Sequence, residues 1–120
     1  MRQTKLALLS LLLMIASVVR AYNVGDIIKV DNVAYRITKL SANISGTIVR
    51  GEVELAPGTT KTGAISIPSF VKDDYGTEYD VTSVGTSAFQ NVAGITSITL
   101  PDGIVTINNG AFSLYIYTQD

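Results

Sequence analysis

The chain has 120 residues, with nine Lys plus Arg against ten Asp plus Glu, and no His, Cys or Trp. That length gives one domain at most. The missing His and Cys remove Ser-His-Asp and Cys-His catalysis, the usual zinc sites and every disulfide. A formal charge of −1 without a basic cluster argues against nucleic acid, whose phosphates demand Lys and Arg.

Arg2 and Lys5 make a short basic start, and residues 6–19 (LALLSLLLMIASVV) follow with 12 apolar residues of 14. Val19 and Ala21 then stand at the −3 and −1 positions of a cut after Ala21. This order predicts a secretory signal over residues 1–21. An apolar run of 14 residues is shorter than the roughly 20 that span a bilayer, so no membrane span is expected after cleavage. Three of the nine bases leave with the signal; the remaining 99 residues hold six bases and ten acids, a net charge of −4. Small exported domains usually add disulfides because their cores are thin. Without cysteine, this one must be held by stacking of its own elements or by a partner.

Residues 22–120 hold 34 β-branched residues and only four Leu, which favours strands. Residues 26–30 (DIIKV) and 33–38 (VAYRIT) flank Asp31-Asn32, a two-residue hairpin turn. Val33, Tyr35 and Ile37 share one face by alternation. Residues 47–55 (TIVRGEVEL) read as one strand with Gly51 at a bulge or bend, and residues 56–63 as a loop. A short strand at 64–67 stops at Pro68. Residues 70–72 and 78–81 flank DDYGT as a second hairpin. No stretch keeps helical period over ten residues; the first helical-looking material is one turn at 86–90.

An internal repeat follows. VTSVGTSAF (81–89) aligns with IVTINNGAF (104–112) at a period of 23. Ser83 meets Thr106, Val84 meets Ile107, Ala88 meets Ala111 and Phe89 meets Phe112. Ile65-Ser66-Ile67-Pro68 likewise matches Ile98-Thr99-Leu100-Pro101, with ten extra residues in the earlier unit. In such a coil a short strand (97–100) pairs with its copy, and the segment from Pro101 turns the chain out. Val84, Phe89, Ile98, Leu100, Ile104, Ile107 and Phe112 are the predicted core. A single coil cannot close a core and must stack on neighbours.

The segment TSVGTSAFQNVAGITSITLPDGIVTINNGAF resembles the BspA-like leucine-rich repeat of bacterial surface proteins, with coverage of about residues 64–112. It departs from the family at Asn108, where Gly is usual, and in carrying about one and a half repeats where members have many. The resemblance implies a mainly β chain: signal (1–21), β-rich lead-in (22–63) and a short leucine-rich-repeat solenoid (64–120). It also implies a secreted or cell-surface adhesion module binding host or bacterial surface proteins. The alternative is a truncated N-terminal capping fragment of a longer repeat protein, without activity of its own.

Other features point to bland roles. Asp73, Asp74, Glu78 and Asp80 match no calcium-loop spacing and read as a solvated hairpin tip. Six Tyr (22, 35, 75, 79, 115, 117) invite a carbohydrate-stacking reading, but strand propensity accounts for most. Tyr115 and Tyr117 lie in the tail 113–120 (SLYIYTQD), read as the start of a further coil or as an edge open to partners. Glu52 and Glu54 are the best carboxylate pair for glycoside hydrolysis, yet read better as a surface strand face. Asn43-Ile44-Ser45 matches a glycosylation sequon, by chance in a bacterial protein. No catalytic, cofactor or metal residue is assigned, and the binding residues stay unassigned. Self-association through the C-terminal coil is a further expectation.

Overall fold

The computed structural model describes residues 21–112. The expected signal up to residue 20 and the tail 113–120, with Tyr115 and Tyr117, lie outside the described residues. The fold is mainly β, with no helix among the described residues. Ten strands follow in order: β1 (Ile27–Val30), β2 (Val33–Lys39), β3 (Ala42–Ile44), β4 (Thr47–Val49), β5 (Gly51–Leu55), β6 (Gly63–Ser66), β7 (Phe70–Lys72), β8 (Glu78–Val84), β9 (Ile95–Thr99) and β10 (Thr106–Ile107).

The first hairpin forms as its turn residues require. β1 and β2 pair antiparallel with Val30 opposite Val33. Asp31 and Asn32 sit between them at φ 53° and 63°, the left-handed pair of a turn whose twist matches the strands. Val33, Tyr35 and Ile37 are all buried. The loop after β5 folds back on this turn. Thr60 and Lys61 donate backbone N–H groups to the Asn32 carbonyl, and the buried Thr59 hydroxyl accepts from the Ala34 N–H at 3.1 Å.

Residues 47–55 do not form one strand. Arg50 separates β4 from β5, because β4 turns back to pair with β3 in a separate two-stranded ribbon. The ribbon's turn, Ser45-Gly46, carries φ of 52° and 86°. Gly51 is needed for a close approach and not for a bulge: a Cβ there would lie 2.5 Å from the Lys39 carbonyl oxygen and 2.7 Å from the Tyr79 ring. The irregularity falls on the neighbouring strand, between Ile37 and Lys39 of β2.

The larger sheet runs β1-β2-β5-β8-β10, with β7 also on β8. β5, β8 and β10 are parallel, while β7 pairs antiparallel with β8 across the expected second hairpin. β8 extends to Val84, beyond the expected end at Val81. Against β5, Val81 is opposite Val53 and Ser83 opposite Glu54, so Thr82 is an extra residue. That bulge resets the alternation, turning Val84 inward along with Tyr79 and Val81. β6 and β9 make a second, parallel pair.

The core combines Tyr35, Ile37, Val53, Leu55, Ile65, Val81, Val84 and Phe89, all almost inaccessible. No buried side-chain polar atom among the described residues lacks a hydrogen-bond partner. Residues 86–90 make hydrogen-bonded turns, Ala88 N–H to Gly85 and Gln90 N–H to Ser87. Ser87 at φ 61° prevents these turns from joining into a helix.

Candidate interaction surface

The two copies of the repeat lie against each other in the register their alignment predicts. Ser83 is paired with Thr106 and Val84 with Ile107 on the larger sheet. Ile65 is paired with Ile98, and Ser66 with Thr99, on the smaller one. Between the sheets Phe89 stacks on Phe112, with centroids 5.4 Å apart and planes at 10°. The Phe89 N–H donates to the Ala111 carbonyl at 2.8 Å. Ala88 and Ala111 are buried where the two turns meet.

β5 stands before β8 as β10 stands after it. Leu55 is opposite Val84, and Gly85 donates its N–H to the Leu55 carbonyl at 2.8 Å. A Cβ on Gly85 would lie 2.6 Å from that oxygen, which is why glycine is needed there. Twenty-three residues after Gly85, Asn108 donates its N–H to the Val84 carbonyl at 2.9 Å, and its side-chain amide donates to the same oxygen at 3.1 Å. The Asn108 side chain thus adds a hydrogen bond to the ladder.

Among the described residues, no strand follows β10 on the C-terminal side of this arrangement. Val84 and Phe89 are buried as expected, but Ile98, Leu100, Ile104 and Phe112 are only half-buried. The expectation for Ile107 fails: it is 55% exposed, and Val105 beside it is 80% exposed. Both copies carry the same apolar pattern, but of β8 and β10 only β8 has a bonded strand on each side among the described residues. Ile95, Thr96, Ser97, Ile98 and Phe112 line a groove of about 440 Å³ on this open face.

The carboxylates singled out from sequence, Asp74 apart, are engaged by cations or by the backbone. Glu54 pairs with Arg36 at 2.8 Å and Glu52 with Lys39 at 3.9 Å. Arg50 bridges Glu78 and Asp80, each at 3.0 Å, and lies 4.4 Å over the Phe70 ring. Asp73 organises its own turn. Its carboxylate accepts the N–H groups of Tyr75 and Thr77 at 2.8 and 3.0 Å and the Tyr79 hydroxyl at 2.9 Å.

The tyrosines divide into two kinds. Tyr35 and Tyr79 are buried. Burial, helped by the charge of Asp31, pushes the Tyr35 hydroxyl up to about 12. Burial and then the hydrogen bond to Asp73 also raise Tyr79. Tyr22 and Tyr75 instead meet at the surface, with ring centroids 5.7 Å apart.

Sequence reasoning missed the β3–β4 ribbon, which exposes Ile44 and Ile48. Its signal was the dipeptide Ser45-Gly46, a turn former directly before the β-branched run 47–49. The sequon residue Asn43 accepts the Gly46 N–H through its side chain at 3.0 Å, closing the same turn.

Neither a protein-family model nor a curated protein matches the chain. Among solved structures it is similar to the pneumococcal vaccine antigen PcpA, at 23% identity over 76% of this chain and 25% of that one, with a TM-score of 0.57. The likeness to PcpA is one of fold. A leucine-rich repeat protein from Bacteroides capillosus aligns at 28% identity over 68% of this chain and 53% of that one, with a TM-score of 0.49. The chain spans about a quarter of the first protein and about half of the second.

Proposed function

We propose that the chain is an exported, surface-located protein-interaction module without catalytic chemistry, built on the BspA-like leucine-rich-repeat plan. Residues 1–21 serve as its signal, 22–63 as a lead-in that covers the first coil, and 64–120 as coils of 23-residue period. The observation that carries the reading is the pairing of Ser83 with Thr106 and of Val84 with Ile107. An offset of one repeat between bonded strands is what stacked coils produce. The fold shared with a vaccine antigen supports a location outside the cell, where host or bacterial surface proteins are the partners.

The test is surface plasmon resonance with the exported chain over purified host matrix proteins, together with N-terminal sequencing of the secreted product. Saturable binding by a chain beginning at Tyr22 supports the proposal. A folded chain that binds none of them overturns the adhesion role.

The open face favours a second reading, the capping fragment. Ile107 presents apolar surface that its counterpart Val84 buries, with the exposed Val105 two residues before it, whereas β1, β2 and β5 cover the opposite side. Further Gly-x-x-Ala-Phe units in frame beyond codon 120 would support this reading. The same face would carry self-association, which sedimentation of the purified chain would detect as a dimer.

A further inference from the structure

The approach to β3 and the turn between β7 and β8 enclose a groove of about 530 Å³, walled by Tyr22, Leu40, Asp73, Tyr75, Thr77 and Tyr79. Among the described residues, no Lys or Arg lines it. The Tyr22 and Tyr75 rings meet at 51°, and Tyr75 is 53% exposed. The Tyr22 hydroxyl donates to Asp74 at 3.3 Å. Glu78 and Asp80 on the next strand are paired with Arg50 and Lys72, but among the described residues neither Asp73 nor Asp74 is in an ion pair. Desolvation first, then the charge of Asp74, raises the Tyr22 hydroxyl pKa.

We propose that the groove binds a cationic side chain, a lysine or arginine presented by a partner protein. An aromatic face attracts a cation through its quadrupole, most strongly where solvent is partly excluded. Asp73 and Asp74 supply two negative charges that no described Lys or Arg neutralises, and the α-ammonium that cleavage after Ala21 would leave on Tyr22 offsets only one of them. Leu40 offers apolar surface for the aliphatic stem that Lys and Arg bury while their charged heads stay polar. A neutral sugar would use the ring faces and leave the charge uncompensated; an anion would be repelled. The groove deepens the interaction reading by giving the chemistry of a partner. It is walled by the lead-in and by the β7–β8 turn, not by the residues that pair one copy of the repeat with the next, so one can fail without the other.

The experiment is a titration of the isotope-labelled full chain with acetyl-tetralysine amide, read by amide shifts at Leu40, Tyr75 and Thr77. Saturable shifts are expected. Tyr75→Ala should weaken binding about two- to fivefold, as loss of an exposed cation–π contact does, and Tyr75→Phe should retain it. Asp74→Asn should weaken binding too, as should raising ionic strength from about 0.01 to about 0.15 M. Both positions are on a turn, so unchanged amide positions elsewhere will show that each variant is folded. Absence of saturable shifts, an equal response to acetyl-tetraglutamate or to a neutral oligosaccharide, or full affinity in Tyr75→Ala and Asp74→Asn would each overturn the proposal.

Discussion

Phe89 is the side chain whose removal should cost the coils most. It is 0% exposed, fills the space between the two parallel ladders, and stacks on Phe112 at 5.4 Å. Truncating a buried Phe to Ala removes the ring's transfer free energy and leaves a cavity, together about 3–5 kcal/mol. Of this, about 0.5–1.5 kcal/mol belongs to the aromatic pair beyond its buried area. A domain of this size has about 5–15 kcal/mol in total, so Phe89→Ala forfeits a large share. With about 4–8 °C of Tm lost per kcal/mol, the melting temperature should fall by at least about 12 °C, followed by far-ultraviolet circular dichroism. Phe112→Ala supplies the internal comparison. Its ring is half-buried, so the loss should be about 1–2 kcal/mol. The reasoning is refuted if Phe89→Ala melts with the parent, or if Phe112→Ala costs as much as Phe89→Ala.

Gly85→Ala should cost about 1–3 kcal/mol in urea denaturation, because its Cβ would lie 2.6 Å from the Leu55 carbonyl oxygen. Gly103→Ala, whose Cβ would meet the Val81 carbonyl oxygen at an ordinary 3.8 Å, should stay within about 0.5 kcal/mol of the parent. Alkali should destabilise the fold: Tyr35 ionises near 10 when unfolded and at about 12 when folded. The unfolded chain therefore binds fewer protons across that window, and stability present below pH 10 is lost as pH rises through it, by about 2–3 kcal/mol. Urea titrations at both ends of the window will show the loss, and Tyr35→Phe should reduce the slope. Tyr79→Phe removes the 2.9 Å hydrogen bond to Asp73 and should cost about 1–1.5 kcal/mol in the same assay.

What could be read from the sequence was local or repeated. Asp31-Asn32 declared its turn because two left-handed residues in a row tolerate few side chains, and the alternation of Val33, Tyr35 and Ile37 declared the buried face of β2. The repeat gave the pairing of Ser83 with Thr106 and of Ile65 with Ile98, since copies of one sequence that stack must do so in register. Burial at the edge of the stack was not legible. Val84 and Ile107 occupy the same place in the pattern, yet one is enclosed by β5 and β10 and the other is exposed. Nor did the sequence reveal the extra residue at Thr82, because bulge placement depends on the opposing strand. The groove was equally hidden, for it joins Tyr22 to a turn more than fifty residues away, and only the fold brings the two rings together.

The parallel ladder β5-β8-β10 makes the chain's two ends unequal in time as well as in space. β5 has bonded neighbours on both flanks, β2 and β8, whereas β10 is a two-residue strand bonded to β8. Opening free energies should therefore descend along the ladder, and backbone amides should exchange with solvent soonest at Thr106 and Ile107 and last at Val53. A strand laid on the outer edge of β10 would first be visible as slowed exchange at those two residues.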